Sequence, residues 1–272
     1  MTRLALLADL HFGTVPIGLA ETLRAALTDA VPDVIVVAGD LTMRSKRQEF
    51  SDAQAWLKTL SAPLMLLPGN HDLPFWNILE RFSSPFARYG KATGAKLMPV
   101  FEDECCYIVG LNTTASWQPH WQWQEGTARR TDVRAAEALL AAATPEKVRV
   151  VATHHPLFTV EGLPRARPVR RFANAVDMLA RQSVELLMHG HLHQQYAMTM
   201  RSGGREFLTI GAPTALSSRV RGEPNGFWLI EITTDCFVLT LHRLELSGNY
   251  APAEPVKIPR GNLTQPAPAL GS

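Results

Sequence analysis

Three short apolar runs, Arg3 to Ala8, Val34 to Ala38 and Leu64 to Leu67, each stop at a polar or glycine-containing segment. Runs of this length read as buried strands. Between them, Gly18 to Ala30 is rich in Ala and Leu. Phe50, Ala53, Leu57 and Leu60 then recur at spacings of three and four, the pattern of a helix with one apolar side. A β-α-β-α-β order of this kind points to an α/β layered fold.

The alternation continues. Lys96 to Glu102 and Tyr107 to Leu111 read as strands, and Thr131 or Asp132 is suited to cap a helix running to about Ala143. Val148 to Ala152 is a further strand, followed by a helix around Asn174 to Gln182. The strand Val184 to Met188 then leads into His189-Gly190-His191-Leu192-His193, and four strand-like runs follow to about Leu244. From Ala251 the composition turns to Pro and Ala, with prolines at 252, 255, 259, 266 and 268. The expected organisation is therefore one folded domain over 1–250 and a loose tail over 251–272 that builds no core.

With 272 residues, 46% of them hydrophobic, the chain is long enough for one large domain. Lys and Arg (27) nearly balance Asp and Glu (25), so no strong field advertises a nucleic-acid or membrane partner. Cys105 and Cys106 are adjacent and Cys236 is distant, an odd and irregular set that argues for free thiols in a reducing compartment. No segment reaches the roughly 18 to 20 apolar residues of a membrane span. Asp9 and His11 also follow the first apolar run too closely for it to be a removed leader. A cytoplasmic protein is expected.

Five groups of metal-ligating residue types sit at the C-terminal ends of the expected strands: Asp9-Leu10-His11, Gly39-Asp40, Gly69-Asn70-His71-Asp72, His154-His155 and Gly190-His191-Leu192-His193. That end of an open α/β sheet is where sites form. Any one of these histidines alone is better read as a hydrogen-bonded structural residue, but five groups in this order read as a metal site. Carboxylate, amide oxygen and imidazole suit Mn, Fe, Zn or Co better than calcium. Two such cations, ~3.5 to 4 Å apart, hold a hydroxide and neutralise charge during displacement at phosphorus.

His71, next to Asn70, is then free to give a proton to the leaving oxygen or to hydrogen-bond the phosphoryl oxygens, with Asp72 fixing its tautomer. The residues themselves leave His154 and His155 undecided, and place His189 at the end of an apolar strand in a supporting role. Trp117, Trp121 and Trp123 are an aromatic wall or the anchor of a long loop. Arg165, Arg167, Arg170 and Arg171, and Arg219 with Arg221, either rim the site or lie on solvated surface.

These five groups resemble the pattern of the calcineurin-like metallophosphoesterase superfamily: Asp-x-His, Gly-Asp, Gly-Asn-His-Asp/Glu, His and Gly-His-x-His, over about residues 4 to 200. The resemblance implies a four-layer α-β-β-α sandwich with two central mixed sheets. It also implies two divalent or mixed-valence ions, the first held by Asp9, His11 and His193, the second by Asn70, His154 and His191, with Asp40 bridging. Ala8-Asp9-Leu10-His11, Gly39-Asp40-Leu41-Thr42 and Gly110-Leu111-Asn112-Thr113 look most like the group that cleaves cyclic nucleotides and glycerophosphodiesters. The implied substrate is a small phosphoester. A phosphomonoesterase and a metal-binding interaction scaffold are the competing readings.

Overall fold

The computed structural model describes residues 1–116, 124–159 and 167–260. The Trp117 to Trp123 segment, Arg165 and positions 261–272 lie outside the described residues. In the first part of the chain, β1 (Thr2–Leu7), α1 (Leu19–Ala30), β2 (Val34–Ala38), α2 (Arg47–Leu57) and β3 (Leu64–Leu67) alternate. There follow α3 (Ile78–Ser83), α4 (Ala87–Thr93), β4 (Val100–Glu102), β5 (Cys106–Gly110), α5 (Arg130–Ala141), β6 (Val148–Ala152), α6 (Phe172–Arg181) and β7 (Leu186–His189). The remainder is β8 (Tyr196–Ser202), β9 (Arg205–Gly211), β10 (Gly226–Ile232), β11 (Cys236–Leu244), β12 (Tyr250–Pro252) and β13 (Val256–Pro259).

Two mixed sheets result. One runs β12-β11-β10-β1-β2-β3, with β13 also paired to β11, and the other runs β4-β5-β6-β7-β9-β8. Within each, the strands that end in the candidate site, β1-β2-β3 and β6-β7, are parallel, so their C-terminal ends share one rim. The sheets face each other across a core in which Leu4, Leu6, Val36 and Leu67 of the first meet Ile108, Val150, Leu186 and Leu208 of the second. Because strand side chains alternate, the intervening residues Ala5, Leu7, Ile35 and Val37 turn outward onto Leu19, Leu23 and Leu27 of α1 and onto Phe50, Ala53 and Trp56 of α2. Val109, Val151 and Leu187 likewise pack on α5 and α6 through Val133, Leu140, Ala175 and Leu179. Both faces of both sheets are therefore apolar, the arrangement expected as a four-layer α-β-β-α sandwich.

Three expectations need correction. The helix after position 129 starts at Arg130 with Arg129 at its cap, two residues before Thr131 and three before Asp132. The short helices α3 and α4 carry no long apolar period and were not expected. The segment from Ala251 is not a loose tail throughout: β12 and β13 both pair with β11, and Ile258 is buried in the core between the sheets. Proline does not prevent this, because these strands lie at the sheet's edge, where a missing N–H is tolerated.

Ile258→Ala removes a buried side chain from that core and is expected to cost about 2–4 kcal/mol. Urea unfolding followed by circular dichroism checks it, as a lower midpoint with unchanged slope.

Candidate metal centre

At the shared rim the first sheet delivers Asp9, His11, Asp40 and Asn70, and the second delivers His154, His191 and His193. The β1–β2 ladder continues past the strands, with Asp9 N–H donating to Gly39 O and His11 N–H to Asp40 O, each at 3.0 Å. This holds the two groups side by side. Asp9, His11, Asp40, His191 and His193 all have positive φ, between 49° and 69°. For an L-residue that conformation costs on the order of 1–2 kcal/mol. Of the nine such non-glycine residues described, five belong to this site, so the strain is concentrated where direction of the side chain matters. Glycine is needed beside them: a Cβ on Gly39 (φ +92°) would strike the His154 ring, and one on Gly69 would overlap the Asp40 carboxylate.

The donor atoms fall into two overlapping clusters. In the first, His193 Nε2 lies 3.2 Å from both Asp9 Oδ1 and His11 Nε2. His193 Nδ1 donates to the Arg219 carbonyl at 3.0 Å, and His11 Nδ1 faces the Thr42 carbonyl at 3.4 Å. Carbonyls only accept, so both hydrogens sit on Nδ1 in the neutral rings, and two imidazole lone pairs then converge on a carboxylate oxygen. Asp9 Oδ1 is buried and has no hydrogen-bond partner among the described residues. In the second cluster His154 Nδ1 donates to the Ala38 carbonyl at 2.7 Å, leaving Nε2 to face Asn70 Oδ1 (3.2 Å) and Asp40 Oδ2 (3.4 Å). His191 Nδ1 lies 3.1 Å from the same Asn70 oxygen, and its backbone N–H donates to Asp9 Oδ2 at 2.9 Å.

Asp40 stands between them: Oδ2 is 3.8 Å from His11 Nε2 and 3.4 Å from His154 Nε2. Its other oxygen accepts the His71 N–H at 2.8 Å.

Buried, electron-rich atoms this close need either protons or cations between them. Burial opposes charge on His154 and on His193, yet Asp40 pushes the first up to about 9 and Asp9 raises the second. Burial also opposes ionisation of Asp9 and Asp40, but His193 holds Asp9 below the usual carboxylate range, and His154 holds Asp40 well below it. Burial takes His11 down to about 4, against the pull of Asp40, and keeps His191 well below the usual imidazole range. An acceptor set of carboxylate, amide oxygen and neutral imidazole in this arrangement fits metal ions.

His155 is separated from His154 by its partners. Both its ring nitrogens are engaged, Nδ1 with Thr113 Oγ1 (2.9 Å) and Nε2 with the Gln124 carbonyl (2.8 Å). His189 is likewise engaged, by the Gly190 carbonyl and the Tyr196 hydroxyl. His242 stacks on Phe227 with centroids 4.5 Å apart, a packing residue away from the site.

The expectation that Asp72 fixes the His71 tautomer does not hold. Asp72 is fully buried and accepts from the N–H groups of Leu41 (3.2 Å), Thr42 (2.9 Å) and Gly69 (2.9 Å) and from the Thr42 hydroxyl (3.0 Å). It ties the turn after β3 to the turn after β2. His71 Nδ1 instead donates to the Met43 carbonyl at 2.7 Å, and its Nε2 faces the Arg219 guanidinium at 3.4 Å. A backbone carbonyl has no sequence signature, so Met43 was invisible before folding. Of the arginines considered for the rim, Arg219 reaches the site, whereas Arg167 pairs with Glu125 and Arg170 and Arg171 are exposed.

Two mixed sheets that bring carboxylate, amide and imidazole donors together at their strand ends form a candidate site for metal ions. Residues 2–195 match the family described as calcineurin-like phosphoesterase, and the chain belongs to that family. It is 29% identical over 206 residues to a probable cyclic nucleotide phosphodiesterase of Rhodopseudomonas palustris, covering 71% of this chain and 72% of that protein. Among solved structures it resembles purple acid phosphatase PPD1 of yellow lupin (Lupinus luteus), with TM-score 0.69 and 11% identity. That match covers 100% of this chain and 57% of the lupin chain. A dimetal phosphatase from Danio rerio has TM-score 0.67 and 16% identity, over 95% and 99% of the two chains. At these identities the structural likeness concerns the fold.

Asp72→Asn swaps an acceptor for an amide whose N–H meets backbone N–H groups. It is expected to cost about 1–3 kcal/mol of stability. A thermal melt checks this, and an unchanged melting temperature would remove the tying role.

Proposed function

We propose that this chain hydrolyses phosphodiesters of small organic alcohols, such as 3′,5′-cyclic nucleotides or glycerophosphodiesters. Asp9, His11 and His193 would hold one cation, Asn70, His154 and His191 the other, and Asp40 would serve both. The observation that carries this reading is the convergence of His11 Nε2, His193 Nε2, Asp9 Oδ1, Asp40 Oδ2 and His154 Nε2, neighbouring atoms of the set lying 3.2 to 3.8 Å apart. When bound, two divalent or mixed-valence ions (Mn, Fe, Zn or Co) supply a nucleophilic water at neutral pH and neutralise phosphoryl charge.

The chain's own groups complete the chemistry. Water adds its oxygen to phosphorus, the opposite P–O bond breaks, and the leaving oxygen takes a proton. His71 is held by Met43 at Nδ1, so a proton carried at Nε2 points toward the site, and Nε2 can otherwise accept from Arg219. Arg219 has no carboxylate partner among the described residues, and its guanidinium is suited to hold a non-bridging phosphoryl oxygen. The Rhodopseudomonas relative supports the diester preference. The three free cysteines support a reducing, cytoplasmic setting. No helix among the described residues is long and apolar enough to cross a membrane.

The test compares kcat/KM of the Mn-reconstituted protein on bis(p-nitrophenyl) phosphate and on p-nitrophenyl phosphate. A clear diester preference that a chelator abolishes is expected, and His71→Ala should keep metal and lose most turnover. Monoester preference would make the chain a phosphatase, and no cleavage with any metal would favour an interaction scaffold.

The ligand assignment has its own check in metal content. His154→Ala should lose about half the bound metal, while His155→Asn keeps both equivalents; plasma emission analysis of dialysed protein reads the difference.

A further inference from the structure

The segment after Asp72 is apolar and outward-facing. Five large side chains are exposed within eight residues: Phe75 (48%), Trp76 (77%), Ile78 (64%), Leu79 (84%) and Phe82 (55%). Apolar side chains of this size, clustered rather than scattered, mark a binding surface. The cluster rests on a built base. Arg81 is buried and donates to the carbonyls of Pro74 (3.0 Å) and Ser116 (2.9 Å), Asn77 caps α3 through the Glu80 N–H, and Glu80 pairs with Arg88.

Two of the five wall a cleft. Phe75 and Trp76, in edge-to-face contact at 4.9 Å, line a space of about 340 Å³ together with Met43, Leu73, Asn70 and His71. Small-ligand sites begin at about 300 Å³. Asn70 and His71 belong to the candidate metal centre, so the cleft opens directly from the place where phosphorus would sit. Arg44 and Gln124 give it a polar edge. Met43 joins both halves, since its carbonyl holds His71 while its sulfur touches Arg219.

We infer that this cleft is the subsite for the leaving group, and that it selects an alcohol carrying a planar aromatic ring, a nucleoside or a phenol, with the ring stacked on Trp76. The inference rests on the phosphodiester reading and names its substrate class. An ester placed at the donor clusters with its leaving oxygen beside His71 can direct that group between Met43 and Trp76, which line the same cleft as His71. An indole presents a broad π-face that any flat ring accepts, whereas an alkyl alcohol fills less of the space and stacks on nothing.

Direct binding separates the subsite from turnover. Isothermal titration of the Mn-loaded full chain with phenylphosphonate and with methylphosphonate should show the aromatic probe binding about tenfold more tightly, or better. Trp76→Ala should bring the two affinities together while leaving that of methylphosphonate unchanged, and Trp76→Phe should restore most of the difference. The exposure of Trp76 makes these variants compatible with folding, which a thermal melt verifies. Equal affinities in the parent protein, no binding of phenylphosphonate, or a ratio indifferent to Trp76→Ala would overturn the inference. It would also be overturned if Trp76→Ala left the ratio intact but abolished self-association in light scattering, or co-sedimentation with phosphatidylglycerol vesicles. A Trp76-dependent ratio in a protein that cleaves no phosphoester would instead overturn the hydrolytic reading and leave the subsite standing.

Discussion

Crowding of electron pairs is the constraint around which this molecule is arranged. Asp9, Asp40, His11, His154 and His193 are all nearly inaccessible to water, and their acceptor atoms approach to between 3.2 and 3.8 Å. Buried charges and lone pairs in such proximity are costly unless a proton or a cation lies among them. The surrounding carbonyls of Ala38, Thr42 and Arg219 occupy the far side of each ring and turn the remaining nitrogen inward. These backbone bonds hold the donors rigidly in place.

That rigidity comes from the packing of the two sheets. Neither sheet contains a complete cluster: Asp9 and His11 follow β1, while His193 lies beyond β7. Cross-sheet contacts set the register of one against the other, since His154 bonds to the Ala38 carbonyl and the His191 N–H to the Asp9 carboxylate. Loss of core packing between Leu4, Leu6 and Val36 on one side and Val150 and Leu186 on the other would shift the donors apart. Stability of the core and geometry of the site are thus one property.

Around the donors the turns divide their labour. Asp72 spends its acceptor capacity on backbone N–H groups and so binds the β2 and β3 turns together. Burial, with Asp40 nearby, raises its pKa to about 6. Arg219 serves twice, its carbonyl orienting His193 and its guanidinium facing His71. Beyond this inner set the chain leaves aromatic surface facing solvent at Phe75 and Trp76, next to the polar, charged centre.

Read alone, the sequence pointed to the layered fold and to the residue groups that meet at its rim. Strand and helix periods are local, as at Val34–Ala38 and Val148–Ala152, where the expected and observed bounds coincide. Ligand residue types at strand ends are visible without coordinates. What it left open depended on contacts distant along the chain. His154 and His155 differ only in which neighbours their nitrogens meet, the Met43 carbonyl rather than Asp72 holds the His71 ring and has no residue code, and β13 formed despite its proline because β11 offered an edge. Only the tertiary structure decided these, since each rests on the position of a hydrogen-bond partner far away in sequence.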